Sequence, residues 1–368
     1  MQLTLDLSPI LVNRTAVYDI CLEVDGIVSA RPDTRVDYQF VGRRFPRIPP
    51  PEEQRDLRDG FFRQLDDPQR LAAARRDAAA PGAGDASARR TFYLDPLYTL
   101  FAALGPDDVV MCHDLSPLTH PHWHSPNVSR LYDFAFRKIV RSACTVVADS
   151  HNTADTYRAN FGSGRQTVRT VHLYLPRSVA HALAQPAPAG FAVTAPYFLF
   201  VGSLEARKNI TGAIEAFRLS GLAAQGYQLL VIGTRAHGAE AIERKAAGTA
   251  GVVLCGFLSQ AEKLAAYAGA IGFVYPSYLE GFGIPLLEAM AFGIPSVTTV
   301  TGASPEVGGP DVPCLDPDDH HGIAEAMRTI AGLSKTARTR LGGRLRKRAE
   351  ELFSFDRFAR NIQDVLFA

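Results

Sequence analysis

From residue 197 onward, short apolar runs alternate with helical stretches, and each run closes on glycine, proline or a small polar residue. The runs are 197–201, 228–232, 252–254, 272–275 and 296–300; the helical stretches between them are 209–222, 239–247, 260–268 and 285–292. No pattern constrains this chain more. Apolar strands without polar alternation must be covered on both faces, and a helix after each strand is the connection that a parallel sheet needs. The expectation is an α/β sheet whose ligands sit beyond the carboxyl ends of its strands. Gly202, Gly233, Gly256 and Pro276 fall at those ends.

The first half repeats the pattern less cleanly. Residues 3–7, 36–41, 109–112 and 145–148 read as strands, and 128–140 and 153–161 as helices, giving a second α/β unit. Residues 43–90 break it with three consecutive prolines, a mixed-charge helical stretch and Pro81-Gly82-Ala83-Gly84, read as a solvated helix with flexible ends. The Ala/Pro/Gly-rich run 182–195 reads as an interdomain linker. The expected domains are 1–185 and 191–353, with a final helix 354–368 packing back on the first.

At 368 residues and 46% apolar composition the chain can build two cores. Thirty-nine basic residues against 38 acidic ones leave a net charge of +1, which gives no polyanion-binding signal and argues against a nucleic-acid partner. Five scattered cysteines without a C-x-x-C pair exclude a disulfide framework or zinc knuckle and fit a reducing compartment. The opening Met-Gln-Leu-Thr-Leu-Asp does not read as a secretory leader, and no apolar run reaches the ~18–20 residues that span a bilayer. The location expected is cytoplasmic, with peripheral membrane contact at most.

Three segments carry chemistry. In Tyr275-Pro-Ser-Tyr-Leu-Glu280-Gly281-Phe282-Gly283-Ile-Pro285-Leu286-Leu287-Glu288, a strand ends, two glycines let backbone approach a ligand, and Pro285 opens a helix. A helix start favours phosphate, and two carboxylates nearby can accept hydrogen bonds from sugar or ribose hydroxyls. In Gly202-Ser-Leu-Glu-Ala-Arg207-Lys208-Asn209, a basic pair follows a strand end and suits a diphosphate. In His113-Asp-Leu-Ser-Pro117, a histidine follows a strand of the first half.

Together these segments resemble the retaining glycosyltransferases of family 4. Glu280 and Glu288 match the family's E-x7-E motif, 201–209 its VG-x4-RKN stretch, and 113–117 its HDxxP. The resemblance covers about 109 to the C-terminus. It implies the GT-B fold, two Rossmann-like domains facing across a cleft. It also implies transfer of a hexose from a nucleotide-diphosphate sugar, with retention of configuration. The acceptor would be a glycan or a lipid-linked oligosaccharide, as in bacterial mannosyl- and rhamnosyltransferases of polysaccharide assembly, with GDP-mannose or a related GDP-sugar favoured as donor.

By the same resemblance, Arg207 and Lys208 hold the diphosphate, Glu288 the ribose and Glu280 the donor sugar. Gly281, Phe282, Gly283, Leu286 and Leu287 support sugar and phosphate. Gly202 lies beside them, Gly233, Phe257 and Leu258 hold the base, and His113 approaches the sugar. No metal or further cofactor is implied.

Two departures stand out. The loop after the first strand lacks the family's Gly-Gly, and 173–177 replaces its N-G-x-D. The missing Gly-Gly keeps open a non-catalytic glycosyltransferase-like partner protein, and a GT-B nucleotide-sugar epimerase is the alternative among enzymes. His120, His122 and His124 around Trp123 read as a surface loop rather than a zinc site, and Asp316-Pro-Asp318 as a helix cap rather than a metal site.

Overall fold

The computed structural model describes residues 1–12, 16–65, 90–162, 165–185, 193–236 and 238–367. The chain divides into two compact units, Met1–His172 with Ala359–Ala368, and Leu173–Phe358.

In the first unit, seven strands are β1 (Gln2–Asp6), β2 (Arg35–Phe40), β3 (Arg43–Phe45), β4 (Arg90–Tyr93), β5 (Val109–Cys112), β6 (Thr145–Ala148) and β7 (Thr167–Thr170). They lie in the order β3-β2-β1-β4-β5-β6-β7, parallel except for β3 on β2. β5 is buried at every residue, as a strand covered on both faces must be. Its Val110 and Cys112 pack with Tyr93, Phe136, Val146 and Tyr157. Strand order reverses between β1 and β4.

The second unit holds β8 (Tyr197–Val201), β9 (Gln228–Ile232), β10 (Val252–Gly256), β11 (Gly272–Tyr275), β12 (Ser296–Thr299) and β13 (Cys314–Leu315), in the order β10-β9-β8-β11-β12-β13. All these pairings are parallel. Numbered within the unit, this is the 3-2-1-4-5-6 dinucleotide-fold order, which puts the switch point between β8 and β11. The loops after those two strands carry Arg207–Lys208 and Glu280.

The strands and helices expected from 197 onward are present with ends shifted by one or two residues. The helix expected at 285 begins at Ile284, so Pro285 is its second residue. The first half departs further. β3, β4, β7 and the helix Ala16–Ser29 carry short or polar-interrupted patterns and were not expected. The 43–90 stretch does contain a helix, Pro51–Leu65, whose Leu57 and Phe61 are buried; 66–89, with its Pro-Gly-Ala-Gly run, lies outside the described residues.

The units divide at His172/Leu173 rather than near 185. The segment after Leu173 is bound into the second unit: Leu175 N–H donates to the Phe353 carbonyl at 2.8 Å, and Tyr174 packs on Phe358 with centroids 4.5 Å apart. The helix Arg177–Leu183 then occupies the start of the expected linker, of which 186–192 lie outside the described residues. The last helix, Phe355–Phe367, leaves the second unit at Phe358, not 354. Beyond that point Arg90 donates to the Leu366 carbonyl, and the Arg31 guanidinium lies 4.1 Å from the Phe367 ring centroid.

Candidate functional site

β8 and β11 are buried along their whole length, so the chain can turn toward a ligand only where they end. Backbone is pressed together there. Gly202 N–H donates to the Ile232 carbonyl and Gly233 N–H to that of Gly256. A Cβ on Gly233 would lie 1.8 Å from the Gly202 carbonyl oxygen, so no larger residue fits. After Gly202 a short turn, Ala206–Lys208, ends on Asn209 in the left-handed conformation (φ 48°), from which its side chain caps the helix Ile210–Ser220. The Asn209 amide also donates to the Pro317 carbonyl at 2.8 Å. These contacts fix where Arg207 and Lys208 point.

Lys208 is buried, and its Nζ has three partners: Glu280 Oε1 at 2.7 Å, Glu280 Oε2 at 2.9 Å and the Tyr275 hydroxyl at 2.8 Å. An ammonium has three N–H donors, and all three have an acceptor here. Arg207 donates to the Leu279 carbonyl at 2.7 Å, to Glu205 at 3.0 Å and to Glu280 at 3.4 Å. Burial pushes the Glu280 carboxyl up, but the Lys208 and Arg207 charges outweigh it and bring it down to about 2. Glu280 is therefore a fixed anion between two cations. Gly302 (φ 61°) closes against it; a Cβ there would lie 2.6 Å from the Glu280 carbonyl oxygen.

Glu288 is also buried, one turn into the helix Ile284–Ala291. Lys263 Nζ donates to its Oε1 at 2.9 Å and the Tyr267 hydroxyl to its Oε2 at 2.8 Å. Both partners project from the helix Gln260–Gly269, started by a capping box in which Ser259 and Glu262 exchange hydrogen bonds. Sequence reasoning missed Lys263 and Tyr267. Their i,i+4 spacing on an otherwise Ala/Leu face was the available signal.

Gly283 (φ 98°) caps the helix Ile284–Ala291, and its carbonyl accepts from Leu286 N–H at 3.0 Å and Leu287 N–H at 3.2 Å. Those two amides thus serve the first helical turn. Phe282 is buried and meets Phe353 edge-on at 5.4 Å. Gly281 is buried in the same loop. Phe257, after β10, is 78% exposed, with Leu258 beside it half-buried. An exposed phenylalanine at a strand's carboxyl end has its ring face open to a planar ligand.

His113 belongs to the first unit, after β5. Its Nε2 lies 3.0 Å from the Leu94 carbonyl, so Nε2 carries the proton, and its Nδ1 lies 3.7 Å from Asp149 Oδ2. Burial lowers the His113 pKa, but the facing Asp149 outweighs it, leaving a net rise. Burial pushes Asp149 up to about 6, opposed by His113, and its Oδ1 has no hydrogen-bond partner among the described residues. The sequence reading did not single out Asp149.

The discounted motifs keep other partners. Asp319 caps the helix His320–Ala331 through Gly322 N–H at 2.8 Å, and Asp318 accepts from the Tyr278 hydroxyl at 2.8 Å. His120 stacks on Trp123, while His124 Nε2 pairs with the Ser116 hydroxyl. All five cysteines are free thiols. No helix among the described residues is long and apolar enough to cross a membrane.

Comparison with known proteins bears on family and fold. The profile of Glycosyl transferases group 1 matches residues 184–348. The O-antigen chain mannosyltransferase B of Escherichia coli is 29% identical over 230 residues, 59% of either chain. The MMP alpha-(1->4)-mannosyltransferase of Mycolicibacterium hassiacum is 39% identical over 105 residues, 28% of this chain and 25% of that one. The match thus spans under two thirds of these relatives' lengths. Among solved structures, sucrose-phosphate synthase from Thermosynechococcus elongatus superposes with a TM-score of 0.65 at 19% identity, covering 99% of this chain and 98% of that one. The E. coli trehalose-6-phosphate structure bound with UDP-2-fluoro glucose gives 0.67 at 11% identity, covering 100% and 99%. At such identities the likeness is one of fold. The chain is thus similar in fold to GT-B glycosyltransferases, and its residues 184–348 are similar to the glycosyl transferases group 1, with similarity also to bacterial polysaccharide mannosyltransferases.

Proposed function

We propose that this chain is a retaining hexosyltransferase that moves a hexose from a nucleotide-diphosphate sugar to a hydroxyl of a glycan or lipid-linked glycan in bacterial surface polysaccharide assembly. The observation that carries it is the Arg207–Lys208–Glu280 cluster at the β8/β11 switch point, with Glu288 one turn into the adjoining helix. Anion-binding groups and hydroxyl-accepting carboxylates lie on the loops after β8 and β11 and on the helix that follows, the groups that a sugar diphosphate demands. The named mannosyltransferase relatives favour GDP-mannose as donor.

In this reading Arg207 stabilises the negative charge that develops on the departing diphosphate. Lys208 shares itself between that charge and Glu280, and must release one Glu280 oxygen or Tyr275 to do so. Glu280, still ionised at any physiological pH, accepts from donor-sugar hydroxyls with its remaining lone pairs. Glu288 accepts from the ribose, exchanging Lys263 or Tyr267 for a hydroxyl. The exposed Phe257 ring and the ends of β8 and β9, where Gly233 presses on the Gly202 carbonyl, receive the base. His113, after β5, is the group assigned to approach the sugar. Acceptor and leaving oxygen use the same face, and the phosphate takes the acceptor proton. The two cations and the helix start do the work that a divalent metal does elsewhere, so no metal is required. The protein is assigned to the cytoplasm, at most touching the membrane peripherally.

A panel of nucleotide sugars incubated with α-linked mannotetraose, followed by mass spectrometry and NMR of the new anomeric centre, tests the reading. A hexose-extended product of retained configuration supports it. An altered sugar nucleotide formed without acceptor would establish the epimerase instead. Binding and turnover both absent across the panel would leave a non-catalytic partner protein.

A further inference from the structure

The sequence contains one tryptophan, and it is not in a core. Trp123 is half-buried in a short turn, Pro121–Trp123, that follows β5 and precedes the helix Pro126–Arg141. The His120 ring lies flat on the indole, with centroids 4.3 Å apart and planes 6° apart. His122, exposed, leans on the same indole at 5.1 Å and 58°, and meets His120 edge-on at 6.1 Å.

The cluster is rigidly mounted. His120 N–H donates to the Ser116 carbonyl at 2.9 Å, Trp123 N–H to that of His120 at 3.1 Å and His124 N–H to that of Pro121 at 3.1 Å. The Thr119 hydroxyl pairs with His120 Nδ1 at 2.9 Å. The Ser116 hydroxyl bridges Asp114 Oδ1 at 2.7 Å and His124 Nε2 at 2.9 Å, tying the turn to the carboxyl end of β5.

Three rings held partly in water at the ligand-binding end of a parallel sheet are not explained by packing. Rigid aromatic surface with polar edges is the kind that recognises a ligand at low entropic cost. Burial, and the neighbouring His122, lower the His120 pKa, so its ring is neutral near pH 7 and can both donate and accept. Ring faces match the C–H face of a pyranose; imidazole edges and the Asp114 carboxylate match its hydroxyls.

We propose that His120, His122 and Trp123 form a stacking platform for a pyranose unit of the acceptor glycan. The proposal rests on the transferase reading for the word acceptor, but the platform can be tested without turnover.

Because Trp123 is the sole tryptophan, indole emission reports on this site alone. α-Linked mannotetraose is titrated into the full-length protein with selective tryptophan excitation. The expected result is a saturable emission change, absent with free mannose at the same concentration. Trp123→Ala should raise the KM for mannotetraose by ~10-fold or more, Trp123→Phe by much less, with the donor KM unmoved in both. Far-ultraviolet circular dichroism and the thermal melt of each variant, measured in parallel, show that it is folded. Silent emission under mannotetraose overturns the platform, as does an acceptor KM unchanged in Trp123→Ala. An emission shift with phosphatidylglycerol vesicles but not with mannotetraose overturns it in favour of a membrane anchor. Failure of the transferase reading is a separate result: no hexose transfer from any nucleotide sugar. In that case the wild-type titration alone supports or overturns the platform.

Discussion

Lys208 Nζ lies 2.7 and 2.9 Å from the two carboxylate oxygens of Glu280, inside a buried cluster that also holds the Tyr275 hydroxyl at 2.8 Å. A lysine so placed is a structural group as well as the phosphate ligand proposed above. Read from sequence, removing either member of the basic pair should harm transfer more than folding. The burial of Lys208 changes that for one of the two.

Lys208→Met leaves Glu280 buried with only Arg207, at 3.4 Å, to balance it. Breaking a buried pair costs on the order of 3–5 kcal/mol, less here because Arg207 remains. A melting temperature several degrees below wild type is expected, with activity lost. The double variant K208M/E280L removes both charges and should recover most of the stability but none of the activity. A single variant that melts with wild type would show that the pair adds nothing to the fold. Arg207→Ala leaves Lys208 on Glu280, so it should cost less stability than Lys208→Met, and ~10–100-fold in kcat/KM.

Glu288 gives a binding prediction. In calorimetry with free GDP, Glu288→Ala should weaken affinity while the fold persists, because the ribose hydroxyls lose their acceptor. Lys263→Met keeps that acceptor but removes its 2.9 Å partner. Its effect should be smaller, within ~10-fold, as for one charge-assisted hydrogen bond. Unchanged affinity in Glu288→Ala would make the residue purely structural.

How far the sequence carried these conclusions differs between the two units. In the second unit β8, β9, β10 and β11 are apolar runs closed by glycine or proline, so both their existence and their ends are written in local pattern, whereas β13, only Cys314-Leu315, carries no such signal. β4 has only Thr91-Phe92-Tyr93 after Arg90, and β7 has one apolar residue, Val168, among polar ones. Such strands exist because their neighbours in the sheet hold them, and that information is not local. The site shows the same split. Arg207, Glu280 and Glu288 announce themselves by type and motif. Lys263, Tyr267 and Asp149 act through partners 25, 21 and 36 residues away, and only the fold brings those pairs together.

The charge arrangement also predicts independence from divalent metal. The nearest D-x-D carboxylates are engaged: Asp318 with Tyr278, Asp316 with the Asp318 N–H at 2.9 Å, and the neighbouring Asp319 as a helix cap. If Arg207 and Lys208 neutralise the diphosphate, turnover in excess EDTA should stay within about twofold of the untreated rate. Abolition by EDTA with restoration by Mn²⁺ would overturn this role for the basic pair.

The last prediction concerns pH and lies in the first unit. Asp6 ends β1 fully buried, accepting from Gln39 Nε2 at 2.7 Å and Ser8 N–H at 3.0 Å. Burial is the largest influence on it and pushes its carboxyl up to about 6 from 3.8, against those hydrogen bonds. A carboxyl raised on folding holds a proton in the folded chain that the unfolded chain has already lost. Its contribution to stability is therefore fully present below pH 3.8 and is lost as pH rises through 6. Asp149, raised to about 6 by burial, acts in the same direction. Glu280, brought down to about 2, acts oppositely and only in acid, adding stability as pH climbs from 2 to 4.5. Asp6→Asn keeps an acceptor for Ser8 and, with the Gln39 amide reversed, its second hydrogen bond, but has no charge to bury. It should stabilise the protein at pH 8 by on the order of 2 kcal/mol, several degrees in melting temperature for a unit of this size. At pH 4 the wild-type carboxyl is itself neutral when folded, and the advantage should shrink to a small fraction of that value. Melting temperatures of the two proteins at pH 4 and pH 8 decide the matter: an equal difference at both would mean that Asp6 does not carry the buried charge assigned to it.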